Sequence, residues 1–211
     1  MPLSLRTRTL LRHHLSALRI LLVLSVITGL CYPLVITGIA QAAFPSQANG
    51  SLLGGNGGAT GSRLIGQNFD LPKRDGGPGG PDPKWFQPRP SAAGPSGYDP
   101  TSSGASNLGP DNPVLIRMIK ERRAAVAAFD GVRPSSVPVD ALTASGSGLD
   151  PHISRAYANQ QIDRVAGVRG LNPAMVRKLV AAHTEGRGGG FLGHGDAVNV
   201  VELNRDLAGV R

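Results

Sequence analysis

Few residues in this chain have the types and spacing for chemistry, and most of them lie between Ser145 and Arg164. Ser145-Gly146-Ser147-Gly148 is a small-residue turn, and Gln161 and Arg164 follow three positions apart, so they project from neighbouring positions of one helix face. Backbone amides opening before a helix can hold an anion. Asp150 would put a carboxylate at that point, so a turn followed by an N-cap accounts better for the run. His152 falls in the first turn of the expected helix, where the macrodipole disfavours an imidazolium, and surface or capping contact is its expected role. Gln161 and Arg164 have two readings. One is a structural network, with the amide bonding the Ser145–Gly148 turn and the guanidinium pairing with a carboxylate such as Asp163 or Asp140; the other is a surface that faces a partner. His183, His194 and Asp196 are irregularly spaced and have no Cys or Glu companion, so no metal site is assigned. No G-x-S-x-G elbow, H-E-x-x-H helix or phosphate loop ending in Gly-Lys-Ser/Thr occurs. No catalytic residue is assigned, and a hydrolase is disfavoured.

The elements that would position these residues announce themselves by capping chemistry. Asn112-Pro113, Asp150-Pro151 and Asn172-Pro173 each join an N-cap acceptor to a proline at the first helical position. Val114, Leu115, Met118, Ile119, Val126 and Phe129 recur at helical spacing up to an Asp130-Gly131 stop. The second helix should present Ile153, Tyr157, Gln161 and Val165 on one face, and the third Met175, Val176, Leu179, Val180 and His183. Val137-Pro138-Val139 and Val198-Asn199-Val200-Val201 are β-branched enough for short strands, and Leu203–Val210 predicts a last helical turn or two. From Ser46 to Pro110 the Gly, Pro, Ser, Asn and Asp content, with runs at Gly54–Gly58 and Gly76–Gly80, excludes long regular elements. Arg63–Gln67 and Trp85-Phe86 stand out there as apolar islands, expected as short strands or edge contacts tied to a core elsewhere. The expected class is α+β, with a loop-rich part over 45–111 and a helical and stranded core over 112–211.

Ahead of that domain, Ile20–Phe44 is a run of 25 residues without a charge. As a helix it spans about 37 Å, enough to cross a hydrocarbon core of about 30 Å with some tilt. No later segment is apolar enough to cross again, which gives a single transmembrane helix over 20–44. Arg6, Arg8, Arg12 and Arg19 precede it and the first acidic residue is Asp70, so the basic N-terminus, 1–19, should stay in the cytoplasm and the bulk of the chain be exported. Ala40-Gln41-Ala42 would suit a signal-peptide cleavage site, but the apolar run is longer than an h-region and an uncleaved anchor fits better. Pro33 should kink this helix, with a partner helix supplying lost contacts, and Thr28, Gly29, Thr37 and Gly38 offer small or hydroxyl-bearing packing surface. Four of the 22 basic residues belong to the flank, leaving 18 against 14 acidic ones beyond the anchor. That balance, without a clustered basic stripe, does not point to nucleic acid. The single cysteine, Cys31, lies in the anchor, so an exported domain has no disulfide framework.

Several separate motifs then occur in a particular order: Tyr32-Pro33-Leu34 and Thr37-Gly38; Gly61-Ser62 with Leu64–Gln67; Phe86 with Arg89-Pro90-Ser91-Ala92; Ser106–Pro110 with Asn112-Pro113; Thr143–Ser154; Gln161 with Arg164-Val165-Ala166; Gly190–Gly193; and Val198–Val200. In this the chain resembles the C subunits of the bacterial Kdp potassium-transporting P-type ATPases, over nearly its whole length from the anchor onward. It departs from them at Arg155, where proline is usual, at His194-Gly195-Asp196, where a Glu-Pro pair is usual, and in a longer, glycine-richer Asp70–Lys84 segment. The resemblance implies a non-catalytic subunit in the plasma (inner) membrane, partnered by a potassium-channel-like subunit and an ATP-hydrolysing P-type subunit. It also implies a catalytic-chaperone role that raises the pump's ATP affinity, with Ser145, Gly146, Ser147, Gly148, Gln161 and Arg164 as the matching candidates for nucleotide or partner contact. The charge asymmetry opposes direct ATP contact, since those residues would lie outside and ATP inside; ATP then acts mainly at the partner, and the exported domain caps the outer potassium entrance. An exported binding module unrelated to transport, and an exported enzyme needing a nucleophile-base pair that the residues do not offer, are the alternatives.

Overall fold

The structure, a computed structural model, describes residues 5–55, 58–72, 79–185 and 196–210. The Gly190–Gly193 motif, His194, Gly195 and parts of both glycine runs lie outside the described residues. The chain divides into two units, 1–51 and 52–211.

The first unit is helical because nothing in its apolar run interrupts backbone bonding until Pro33. Helix α1 spans Leu5–Val26, a π-helical turn spans Ile27–Cys31, α2 spans Tyr32–Ala43 and a short α3 spans Pro45–Ala48. Thr9–Ala43 forms one helical stretch long and apolar enough to cross a membrane, its most apolar 18 residues having mean hydropathy 2.3 and none of them buried within the chain. At Pro33 the structure answers with a π turn: the Tyr32 N–H reaches back to the Ile27 carbonyl, one residue further than in an α-helix.

The second unit mixes helices and strands. Leu52–Gly55 (β1) and Gly58–Ser62 (β2) pair antiparallel with a register shift between Leu53 and Gly54, so a short hairpin forms in a stretch too glycine-rich for long elements. Helix α4, Pro113–Asp130, begins and ends where its caps predict: Asn112 accepts from the Val114 N–H, and Gly131 takes a left-handed conformation at φ 66°. The proposed start at Asp150-Pro151 is overturned. His152–Ser154 is strand β3, and helix α5 runs Arg155–Arg169 with Ser154 as the N-cap accepting from the Tyr157 N–H. Asp150 caps nothing helical because its carboxylate is taken by Arg89 and His152. His152 therefore sits in a strand, not in a first helical turn. Arg155 takes the first helical position and donates its N–H to the Asp196 carbonyl at 3.0 Å, a bond that proline there could not make.

Helix α6, Pro173–Ala182, is capped by Asn172 as expected. Thr184–Glu185 (β4) and Ala197–Asn199 (β5) complete an antiparallel sheet of order β3-β5-β4, with Ile153 and Thr184 opposite Val198 on its two sides. The β-branched run at 198–201 is strand only to Asn199, whose side chain accepts from the Val201 and Glu202 N–H groups and starts α7, Val200–Ala208. Val137-Pro138-Val139 is not a strand either: it joins two 3₁₀ turns, Pro134–Ser136 and Val139–Ala141. Arg63–Gln67 and Trp85-Phe86 form no strand, although Phe86 is fully buried. The core gathers Phe86, Leu142, Ile162, Val165, Val180, Val198, Leu203 and Leu207 between α5, α6, α7 and the sheet. Complete burial of such side chains contributes about 1.5–3 kcal/mol each.

Candidate functional site

Gln161 is reached first along α5, and it is fully buried. Its Oε1 accepts from the Gln87 N–H at 2.6 Å, and its Nε2 donates to the Gln87 carbonyl at 3.1 Å. The side-chain amide thus does for Gln87 what a neighbouring strand would do. Asn204 on α7 repeats the device one residue earlier: Oδ1 accepts from the Phe86 N–H at 3.0 Å and Nδ2 donates to the Phe86 carbonyl at 2.9 Å. Between them, two amides from different helices satisfy both main-chain groups of consecutive residues as the segment passes through the core. Without those partners the buried peptide groups would each cost about 1–3 kcal/mol.

Arg164 extends this frame. Its Nε donates to Asp130 Oδ1 at 2.8 Å, its Nη1 to the Pro83 and Trp85 carbonyls at 2.7 and 3.0 Å, and its Nη2 to Gln161 Oε1 at 2.7 Å. The guanidinium also lies 4.4 Å from the centre of the Phe129 ring. Arg164 and Asp130 side chains are 6% and 1% exposed, so this is an interior ion pair. The other Asp130 oxygen accepts from Gln160 Nε2 at 2.8 Å. The carboxylate partner of Arg164 is therefore Asp130 at the end of α4, not Asp163 or Asp140. Asp140 instead accepts from the Ser154 N–H and hydroxyl, fixing the start of α5.

The Ser145–Gly148 turn is built against another segment. Gly148 is left-handed at φ 69°, and a Cβ there would come within 2.7 Å of the Gly104 carbonyl oxygen and 2.8 Å of the Ala93 nitrogen. The Ser147 carbonyl accepts from the Gly104 N–H and Ser103 Oγ, and the Gly148 carbonyl from Ser91 Oγ. Leu149 donates its N–H to Ser147 Oγ. Gly146 and Ser147 remain exposed at the tip. No hydrogen bond joins Gln161 or Arg164 to this turn among the described residues; the Gln161 amide goes to Gln87 instead.

What secures the turn is the Arg89–Ala92 motif. Arg89 Nε donates to the Thr143 carbonyl at 3.3 Å and Nη1 meets Asp150 Oδ2 at 3.2 Å, while the Tyr98 hydroxyl donates to the Arg89 carbonyl at 2.8 Å. Burial, seconded by the Asp150 charge, pushes the Tyr98 phenol well above its ordinary value and keeps it a donor. Burial raises the Asp150 carboxyl too, but the hydrogen bonds from His152 and the charges of His152 and Arg89 outweigh it and hold the group below the usual carboxylate range. The groove beside these residues, about 540 Å³, is lined by Gln87, Arg89, Tyr98, Arg122 and Tyr157 among others.

With this geometry in place, the family model described as KdpC, the c chain of K+-transporting ATPase, matches residues 14–209. The chain belongs to the KdpC family. A potassium-transporting ATPase KdpC subunit of Kineococcus radiotolerans is 51% identical over 205 residues, covering 97% of both chains. That of Sorangium cellulosum is 51% identical over 202 residues, covering 96% of this chain and all of its own. That of Streptomyces coelicolor is 46% identical over 200 residues, covering 90% of this chain and 88% of its own. In this KdpC-family chain the Arg89–Ala92 motif bonds to the Thr143–Ser154 motif, and Gln161 and Arg164 bond to the main chain on either side of Phe86. Sequence reasoning missed Asp130 and Asn204, which complete the frame. Asp130 was legible only as a helix stop, and Asn204 carried no signal beyond a polar residue on the apolar side of an amphipathic helix.

Proposed function

We propose that the chain is a non-catalytic subunit of an ATP-driven potassium uptake complex in the plasma membrane, with its N-terminus in the cytoplasm and residues 52–211 outside. It assembles there with a potassium-channel-like subunit and an ATP-hydrolysing P-type subunit, and the outer domain caps the entrance of the potassium pathway. Any rise in the pump's ATP affinity is passed through the membrane subunits.

The observation that carries this reading is the commitment of Gln161 and Arg164 to internal bonding. Every side-chain hydrogen bond they make among the described residues goes to Asp130, Pro83, Trp85, Gln87 or each other. The turn fits ATP no better. Its carbonyls and Gly148 are used in docking, the next helix starts only at Arg155, and the ionised Asp150 adds negative charge. A triphosphate wants the opposite, namely open amides at a helix N-terminus. The four N-terminal arginines, with no acidic residue before Asp70, support the orientation.

A reporter fused after Arg211 tests the placement. Activity confined to the outer compartment is expected; activity in the cytoplasm would reverse the orientation and return the Ser145–Gly148 turn to the side where ATP is.

A further inference from the structure

The anchor contains a hydrogen-bonding gap. In an α-helix the Thr28 carbonyl would accept from the N–H of residue 32. That N–H, on Tyr32, goes to Ile27 instead. In the π register the donor would be residue 33, and that is proline, which has none. The Thr28 carbonyl is therefore passed over in both registers. Its own side chain does not relieve it, because the hydroxyl donates to the Leu24 carbonyl at 2.7 Å.

The location makes this consequential. Thr28 is four residues from the middle of the uncharged Ile20–Phe44 run, which as a helix puts it about 6 Å from the centre of the span and inside the hydrocarbon. A backbone acceptor cannot be left open there. A trapped water is a poor remedy, since it needs two to four polar partners, and between Val26 and Ile36 the sequence offers polar side-chain atoms at Thr28, Cys31 and Tyr32 alone. Gly29 adds access: its missing side chain leaves nothing within 4 Å of where a Cβ would be, so another helix can come close to this backbone.

We propose that the Thr28 carbonyl is a docking point that accepts a hydrogen bond from a neutral side-chain donor, a hydroxyl, amide or indole N–H, on a transmembrane helix of a partner subunit. The inference rests on the assembly reading above and specifies how the anchor takes part in it. Lysine and arginine are the less suitable donors at this depth because their charge is costly in the membrane.

The chain has three Thr-Gly pairs, at 28–29, 37–38 and 60–61. Labelling with ¹³C-carbonyl threonine and ¹⁵N-glycine thus gives three correlations in solid-state NMR of the full chain in bilayers, alone and assembled with unlabelled partners. The Thr28 carbonyl resonance should move downfield on assembly, while that of Thr37, inside α2 and within reach of the Gln41 N–H, stays in place. Pro33→Ala restores the missing donor, closes the gap from within, and should weaken retention of the partners about threefold to tenfold. A Thr28 resonance equally placed in the two samples, or undiminished retention of Pro33→Ala, overturns the inference while the unaltered chain still co-purifies with its partners. If the unaltered chain retains no integral-membrane partner, the assembly reading falls and takes the inference with it.

Discussion

Arg164→Ala is expected to destabilise the 52–211 unit by about 3–5 kcal/mol, the usual consequence of stranding one half of an interior ion pair. The loss falls on several groups together. Asp130, 1% exposed, keeps only Gln160 against its charge. The Pro83 and Trp85 carbonyls lose their donor, and Gln161 Oε1 loses one of two. Trp85 is the single tryptophan of the chain and contributes its own carbonyl to this network, so its fluorescence reports the change directly. With a urea slope of about 1–3 kcal/mol per molar, the unfolding midpoint of the full chain in detergent should drop by more than 1 M. A midpoint within a few tenths molar of the parent would mean that the guanidinium is not holding the frame and is free to serve a ligand.

The second large effect belongs to Gly148→Ala. The left-handed backbone at φ 69° costs an alanine about 1–2 kcal/mol, and forcing its Cβ against the Gly104 and Ala93 main chain adds about 1–3 kcal/mol. Both opposing groups are backbone, so the turn and the 91–104 segment must part. Gly146→Ala is the control: a Cβ there meets nothing within 4 Å and φ is not positive, so stability should be unchanged. Paired unfolding curves check both. If Gly148→Ala is as mild as Gly146→Ala, the motif is not a docking joint. If Gly146→Ala abolishes potassium-stimulated ATPase activity of the complex while leaving stability intact, its exposed tip is a functional contact.

How far the sequence could be read depended on where the deciding partner lay. Helix α4 was legible at both ends and α6 at its start, because an Asn-Pro start and, for α4, a Gly stop act on their own neighbours and need no tertiary help, whereas α6 has no Gly stop and ends one residue before His183. Asp150-Pro151 carries the same local signal and misled, since Arg89, 61 residues earlier, takes the carboxylate and β5 recruits His152–Ser154 into a sheet. Val137-Pro138-Val139 shows the limit of β propensity: two prolines at 134 and 138 suit tight turns, and no strand edge is offered to them. The partners that the structure gives Gln161 and Arg164 were not legible. Gln161 answers to Gln87, 74 positions away, and Arg164 to Asp130, 34 positions away. An amide replacing a strand leaves no period in the sequence. Trp85-Phe86 looked like strand for a sound reason: its backbone is bonded as a strand's would be, but by the side chains of Arg164 and Asn204, and Gln161 continues the pattern at Gln87.

The most direct test of a structural role for Gln161 and Arg164 is titration of ATP into the purified full-length chain, followed by calorimetry and by Trp85 fluorescence. Because the amide and the guanidinium are committed to Gln87, Trp85 and Asp130, no saturable binding is predicted. Saturable micromolar binding that disappears in a folded Gln161→Ala variant would contradict the account and make this network a nucleotide site.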